Sequence, residues 1–307
     1  RGVLATLRKE GGGRTVGLVD TLDLLLKTLV PPDTTDGETE EHERLREETG
    51  VRLGETVETA WSGESESCHL EEFSQEEVKR AIWRMGRDKA PGEDGLTARI
   101  LRVAFPVIAE IVTTLFNECW RRARFPKGWK RAMVVPLLKN RDKDKSDPKS
   151  YRPISLLPVL SKALEYLICV RMREQIGPSM SENQYGFRAH RSTTDAILRM
   201  REWTENRAEK YVLGVFLDIS GAFDNAWWPA ILHHLKRLGA TERLCEITRD
   251  YLGGRYASIT VPSGRSEIRL SKGCPQGSQF GPELWNILMD SLLSLDESEG
   301  ELSIGYA

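Results

Sequence analysis

The hydrophobic pattern of the chain is mainly helical, with short apolar runs between the helical segments. Apolar positions three and four residues apart predict amphipathic helices, and Ser74 with Glu77 forms the capping-box pattern that begins one of them. Thr193 or Thr194 is predicted to cap another helix. Short runs rich in β-branched or aromatic residues predict strands. The clearest segments are helices at 160–176, 229–238 and 242–252, and strands at 132–138, 211–217, 256–261 and 267–270.

The run at 211–217 reads YVLGVFL and predicts a buried strand, because only Gly214 interrupts its apolar side chains. Asp218 follows it directly, where the apolar run ends. A charge in that position is costly unless it is paired, and a divalent cation is a natural partner. A helix N-cap is the alternative interpretation of Asp218, and the run alone does not decide between the two.

Charge divides the chain unevenly, although its formal net charge is only −2. Residues 33–77 hold 16 Asp and Glu against 3 Arg, so that the part of this stretch up to residue 69 is predicted to be a linker or a loosely ordered arm. Residues 121–152 hold 12 basic and 3 acidic side chains. Such a basic segment favours binding of a polyanion, with a solvated surface as the alternative.

The five cysteines, which are Cys68, Cys119, Cys169, Cys245 and Cys274, are scattered and lack any Cys-x-x-Cys spacing. This predicts a reducing, intracellular compartment without a disulfide framework or a zinc site. No signal peptide is visible, and no membrane partner is predicted. Because the chain begins with Arg1 and stops at Ala307 within an apolar phrase, we expect it to be an internal segment of a longer protein.

Five motifs occur in a fixed order along the chain. They read KAPGEDG at 89–95, VVPLLK at 134–139 with YRPISLL at 151–157, NQYGFRAHRST at 183–193, FLDISGAFD at 216–224 and GCPQGSQFGP at 273–282. Together they resemble the reverse transcriptases of non-LTR retrotransposons. Within that family the motif sequences look closest to those of the arthropod clade that inserts into ribosomal RNA genes. The resemblance covers 75–307 well and 1–70 only loosely.

The resemblance implies an α+β, predominantly helical fold of the right-hand polymerase type. Residues 1–72 would form an N-terminal arm, about 73–210 the fingers, and about 211–307, including the 256–270 hairpin, an incomplete palm. The implied activity is RNA-directed DNA polymerisation by two divalent ions, Mg²⁺ or alternatively Mn²⁺. The implied partners are an RNA template, a DNA primer at the target and deoxynucleoside triphosphates. Target-primed synthesis would take place in the nucleus at integration, with an endonuclease elsewhere in the parent protein.

The resemblance also assigns residues around Asp218. Asp218 would be a catalytic metal ligand, with the backbone carbonyl of Ile219 as a second ligand. Phe223 would lie under the sugar 2′ position and exclude ribonucleotides, although a core position is the alternative. Asp224 is interpreted as structural.

Basic residues further up the chain would bind the triphosphate. Lys139 and Arg152 match the family's fingers residues, and a triphosphate needs several cationic donors. The alternative is that each is one surface cation among many. A charged loop at 140–149 lengthens the spacing between them.

Two polar loops would contact the nucleotide or the template. In the 273–282 loop, Gln276 would bind the nucleotide, while Gly273 and Gly277 would permit close approach of a base or sugar. An ordinary turn is the alternative for this loop. The 183–188 segment would contact single-stranded template through aromatic and Arg side chains, and its assigned residues are Gln184, Gly186, Phe187 and Arg188.

One departure from the family concerns its Tyr/Phe-Ala-Asp-Asp turn, since this sequence reads Ile-Gly-Tyr-Ala at 304–307. We therefore expect this segment alone to be inactive. The main alternative function is a non-catalytic nucleic-acid-binding remnant of a decayed or domesticated element. A polymerase of the group II intron or telomerase type is less favoured by the wording of the motifs, and a nuclease using Asp218 lacks a second carboxylate motif.

Overall fold

A computed structural model describes residues 6–51, 71–209, 211–293 and 301–306. Helices outnumber strands in these ranges, in agreement with an α+β chain that is mainly helical. The strands are β1 (Arg131–Leu138), β2 (Tyr151–Leu156), β3 (Tyr256–Val261) and β4 (Gly264–Arg269). The helices are α1 (Leu18–Leu29), α2 (Glu40–Thr49), α3 (Gln75–Arg84), α4 (Ala98–Arg121), α5 (Val159–Ile176), α6 (Thr193–Glu205), α7 (Ala222–Asn225), α8 (Trp228–Arg237), α9 (Glu242–Leu252) and α10 (Gly281–Leu293).

The four strands form one mixed sheet in the order β2-β1-β3-β4. β1 pairs antiparallel with β2, from Met133 opposite Leu156 to Leu138 opposite Tyr151. β1 also pairs in parallel with β3, and β3 and β4 form a hairpin. The sheet therefore joins a hairpin that was predicted in the palm to strands that were predicted in the fingers.

Local capping signals fix where several helices begin. Ser74 and Glu77 form the predicted capping box ahead of α3, with the Glu77 carboxylate accepting from Ser74 N at 2.8 Å. Asn117 of α4 bonds the Phe73 backbone in both directions, at 2.7 and 3.0 Å, and so fixes α4 against the start of α3. The cap of α6 is Ser192 rather than Thr193 or Thr194, because the Ser192 hydroxyl accepts from Asp195 N.

The N-terminal part folds onto the sheet and onto α8, so the prediction of a loosely ordered acidic arm is wrong for its described part. α1 lies against β4, where the Ser266 hydroxyl donates to Asp23. In the acidic stretch, α2 packs on α8. The buried Arg46 pairs there with Asp33 and Glu38 and lies 5.2 Å from the Trp227 ring centre. Residues 52–69, with Cys68, lie outside the described ranges.

The prediction of a buried strand at 211–217 is also wrong. The segment is irregular, and its side chains face solvent, with Leu213 and Leu217 each 88% exposed and Phe216 82% exposed. A strand is stable only when neighbouring strands take up its backbone N–H and C=O groups and other elements cover its apolar faces. Among the described residues, no strand pairs with this segment. The apolar run therefore has the composition of a strand, but no described strand pairs with it.

α4 bears on the predicted absence of a membrane partner. In the described part of the chain it is the one helix whose length and apolar content would suit a membrane span. The same helix packs against α3 through buried side chains that include Leu101, Phe105 and Phe116. The absence of a membrane partner stays a prediction.

Candidate functional site

The site forms where the turn at 221–226 packs on the loop at 273–282. Gly273 N donates to Ala226 O at 2.8 Å, and Cys274 N donates to Phe223 O at 2.7 Å. The Trp228 indole N–H returns to Gly273 O at 2.8 Å. Two segments almost 50 residues apart are thus held together by backbone hydrogen bonds.

Glycine is required at two places in this packing. Gly273 has φ +80°, and a Cβ there would lie 2.7 Å from Asp224 O. Gly277 has φ +112°, and a Cβ there would lie 2.9 Å from Ser155 O on β2. Both glycines were predicted to admit a base or sugar. In the structure they admit the protein backbone instead.

Asp224 and Gln276 form the polar centre of the contact. Gln276 Nε2 lies 3.0 Å from each carboxylate oxygen of Asp224, and Ser155 N donates to Gln276 O at 2.8 Å. Burial raises the pKa of Asp224 to about 6, against the opposing effects of the Gln276 hydrogen bond and the positive charge of Lys139. The sequence predicted a structural role for Asp224. In the structure, Asp224 accepts hydrogen bonds from Gln276, a predicted nucleotide-binding residue.

Lys139 and Arg152 are brought together by the antiparallel pairing of β1 with β2. Arg152 lies opposite Leu137, and Lys139 follows directly after β1, where its N–H donates to Ser150 O at 2.9 Å. Both side chains are exposed, and neither forms an ion pair with the described residues. The positive charge of Lys139 lowers the pKa of Asp224, which places this ammonium near the Asp224–Gln276 pair.

Phe223 belongs to a row of aromatic rings. Its ring centre lies 5.7 Å from that of Phe187 and 6.2 Å from that of Trp285. Phe187 is 46% exposed and holds a left-handed backbone with φ +54°. Phe223 is half-buried, so its geometry is compatible with both of its predicted roles, packing against the core and facing a ligand.

The prediction that Gln184 contacts the template is wrong, because its side chain is fully buried. Its Nε2 donates to Asn286 Oδ1 at 2.7 Å, and Asn286 Nδ2 donates to Gly186 O at 3.1 Å. Gly186 is buried as well. Arg188 is half-buried and donates to Ser181 O, so that of the 183–188 segment Phe187 offers the most exposed side chain of the predicted contacts.

Asp218 and Ile219 stand apart from this assembly. Asp218 is exposed and forms no hydrogen bond or ion pair with the described residues, and Ile219 is 45% exposed. In the described ranges no group of three or more His, Cys, Asp or Glu side chains is placed to hold a metal ion. One carboxylate is too few for a divalent ion that takes six or more oxygen ligands. The residues described here therefore do not fit a metal on their own.

Glu165 on α5 accepts a hydrogen bond from the 273–282 loop and was not predicted from the sequence. It is fully buried and accepts from Gln279 N at 2.7 Å and from the Ser161 hydroxyl at 2.9 Å. Burial raises the pKa of its carboxyl group, and the buried guanidinium of Arg255 partly offsets that effect. The signal that could have found it is a carboxylate four residues after a serine within an apolar helix.

Known proteins are similar to this chain in sequence. Residues 140–306 match the family described as reverse transcriptase (RNA-dependent DNA polymerase). A putative 115 kDa protein in the type-1 retrotransposable element R1DM of Drosophila melanogaster is 42% identical over 217 residues, which are 71% of this chain and 21% of that protein.

Two further relatives extend the comparison. The Pol polyprotein from the type-1 element R1 of Bradysia coprophila is 33% identical over 77% of this chain and 23% of its own length. The RNA-directed DNA polymerase from the mobile element jockey of Drosophila melanogaster is 33% identical over 74% of this chain and 25% of its own length. The chain thus spans about a fifth to a quarter of these relatives.

Proposed function

Because the chain belongs to the reverse transcriptase family, we propose that it contributes the nucleotide-binding part of an RNA-directed DNA polymerase from a non-LTR retrotransposon. The proposed substrates are deoxynucleoside triphosphates, an RNA template and a DNA primer, joined by template-directed nucleotidyl transfer. Priming from a nicked chromosomal end, and therefore a nuclear site of action, belongs to the same proposal. So does the division of the chain into fingers and palm.

One observation carries this proposal. Lys139, the turn with Phe223 and Asp224, and the loop with Gln276 come from three separate motifs and lie near one another. An exposed cation beside an aromatic ring and an amide, with Arg152 on the strand that pairs with β1, suits a molecule that combines phosphates with a sugar and a base. Such a molecule is a nucleoside triphosphate.

The residues take distinct roles in this proposal. The Arg152 guanidinium offers a bidentate fork to phosphate oxygens, and the Lys139 ammonium adds a second cation. Phe223 would face the sugar and disfavour a 2′-hydroxyl. Asp218 and the Ile219 carbonyl are proposed as protein ligands of Mg²⁺, and the other ligands would have to come from beyond the residues described here.

The test is primer extension by the complete gene product that carries this chain. Purified protein is incubated with Mg²⁺, deoxynucleotides and a DNA primer annealed to RNA, and product length is measured. Extension that depends on template and on Mg²⁺ supports the proposal. Well-folded protein that binds the primer–template and leaves the primer unextended contradicts it.

A second candidate function is suggested by Asp218, which is exposed and without a described partner. On this alternative the chain is a nucleic-acid-binding remnant without polymerase chemistry. Binding of RNA by a complete gene product that does not extend a primer would favour this alternative.

A further inference from the structure

The Asp224–Gln276 pair has a defined polarity, because a carboxylate can only accept hydrogen bonds. We propose that Asp224 is a positioning residue, which turns the Gln276 amide so that its Oε1 acceptor, and not its NH₂ group, faces the ligand. This inference rests on the proposed function and adds a residue to it. It also states what the ligand must supply at this point, which is a hydrogen-bond donor.

The Gln276 amide nitrogen lies against the Asp224 carboxylate. Gln276 Nε2 lies 3.0 Å from both Asp224 oxygens. Rotating the amide by half a turn would place Oε1 against two acceptors at the same distance, where lone pairs repel each other. An ionised Asp224 therefore selects one of the two amide orientations.

Backbone hydrogen bonds hold the loop around Gln276 in place. Gln276 O accepts from Ser155 N at 2.8 Å, and Cys274 N is bonded to Phe223 O at 2.7 Å. These bonds fix the loop on β2 and on the turn that carries Asp224. The orientation of the amide is then decided by its partner rather than by the loop.

The Gln276 side-chain oxygen, Oε1, has no partner among the described residues. Gln276 Oε1 accepts no hydrogen bond from the described residues, yet it is absent from their buried, unpartnered polar atoms. It is thus accessible on a half-buried side chain. An accessible acceptor beside Lys139 suits a hydroxyl or amino group of a molecule whose phosphates the cations hold.

Two sources could supply this donor, a sugar hydroxyl of the incoming nucleotide or a 2′-hydroxyl of the RNA template. The complete gene product and its Asp224→Asn variant are compared in four combinations, with deoxynucleotides or their 3′-deoxy analogues and with RNA or DNA templates. Single-nucleotide incorporation gives kcat and KM for each. Asp36→Asn, an exposed carboxylate far along the chain from this pair, is the matched control.

Asparagine at 224 presents both an oxygen and an NH₂ group, so it accepts either orientation of Gln276. In the native protein, removal of the donor should therefore raise KM by about 5- to 10-fold, the worth of one hydrogen bond. In Asp224→Asn that penalty should shrink toward about 2-fold. The template pair or the nucleotide pair that shows the change identifies the source of the donor.

A charge swap gives a second arm. Gln276→Glu alone places two carboxylates together and should raise KM further, whereas Asp224→Asn combined with Gln276→Glu restores a donor facing an acceptor. The double variant should bring KM most of the way back to the native value and should restore the preference for the donor-bearing substrate. A residue that merely supports the fold would change all substrates equally.

The outcomes separate the two proposals. Extension by the native protein, with equal substrate preference in Asp224→Asn, overturns the positioning role and leaves the polymerase proposal standing. No extension by the native protein overturns both. Independently of activity, the Gln276 side-chain amide signal in the NMR spectrum of the isotope-labelled chain should shift as Asp224 titrates, and a signal indifferent to Asp224→Asn contradicts the bond itself.

Discussion

The motif at 216–224 contains two halves that the structure treats in opposite ways. Phe223 and Asp224 are bonded to the 273–282 loop, with Cys274 N to Phe223 O at 2.7 Å and Gln276 to both Asp224 oxygens. Asp218, only a few residues earlier, lies in an irregular and exposed segment. The built half depends on turns and glycines inside the described chain, whereas the open half depends on strand partners that the described residues do not supply.

This comparison separates what each half can do. In the built half, hydrogen bonds hold an amide against a carboxylate. The open half carries the carboxylate that the family resemblance assigns to chemistry, without the other ligands.

The largest effect is expected at Asp218. Asp218→Ala in the complete gene product should reduce primer extension below detection, because a metal ligand of the reaction would be lost. Binding of primer–template RNA, measured by fluorescence anisotropy, should stay within about 2-fold of the native value, since the exposed side chain supports no described contact. Near-normal extension would remove Asp218 from the site.

The next effect concerns the stability of the built half. Glu165→Ala would leave the buried Gln279 N–H and Ser161 hydroxyl without their acceptor, and would remove a carboxylate near the buried Arg255 guanidinium. We expect the free energy of unfolding to fall by about 3 kcal/mol. Urea unfolding of the 307-residue chain measures it. The exposed control Glu202→Ala should change it by less than about 0.5 kcal/mol, and equal effects of the two variants would refute the supporting role of Glu165.

A moderate effect is expected at the cations. Lys139→Ala and Arg152→Ala should each raise KM for deoxynucleotides by about 10-fold, with kcat much less affected, because each removes one charge-assisted contact to phosphate. Steady-state incorporation on a fixed primer–template measures this split. Lys143→Ala, in the exposed charged loop, is the control. A fall in kcat with unchanged KM would place both cations outside the nucleotide site.

The smallest effect is a pH dependence of stability. Because burial raises the pKa of Asp224 to about 6 in the folded chain, above the value of about 3.9 in an unfolded chain, folding favours its protonated form. Its contribution to stability is fully present below the unfolded pKa and is lost as pH rises through about 6. From about pH 7 to about pH 5, the native chain should therefore gain stability relative to Asp224→Asn in urea unfolding. A constant difference would contradict the raised pKa.

Local signals were the ones that sequence reasoning used well. The Ser74–Glu77 capping box involves neighbours along the chain and is confirmed, and the Ser192 cap precedes the predicted Thr193 or Thr194 by one or two residues. The paired strands β1 and β2 bring Lys139 near Arg152, although twelve residues separate the two strands in sequence.

Non-local partners explain the failures. The run at 211–217 has the composition of a strand, but pairing is a property of its neighbours and cannot be seen in the run itself. Gln184 belongs to a polar motif, yet its Nε2 donates to Asn286, about 100 residues away, inside the core. Glu165 was missed for a related reason, because one of its two hydrogen-bond donors, Gln279 N, lies on the loop that begins at Gly273.

Hydrogen exchange of the 307-residue chain tests the central division most directly. The account predicts slow exchange at the amides of Ser155, Gly273 and Cys274, which donate within the built half. It predicts fast exchange throughout 212–218, where the backbone donates no hydrogen bond to described residues. Protection of 212–218 equal to that of Gly273 and Cys274 would contradict the account.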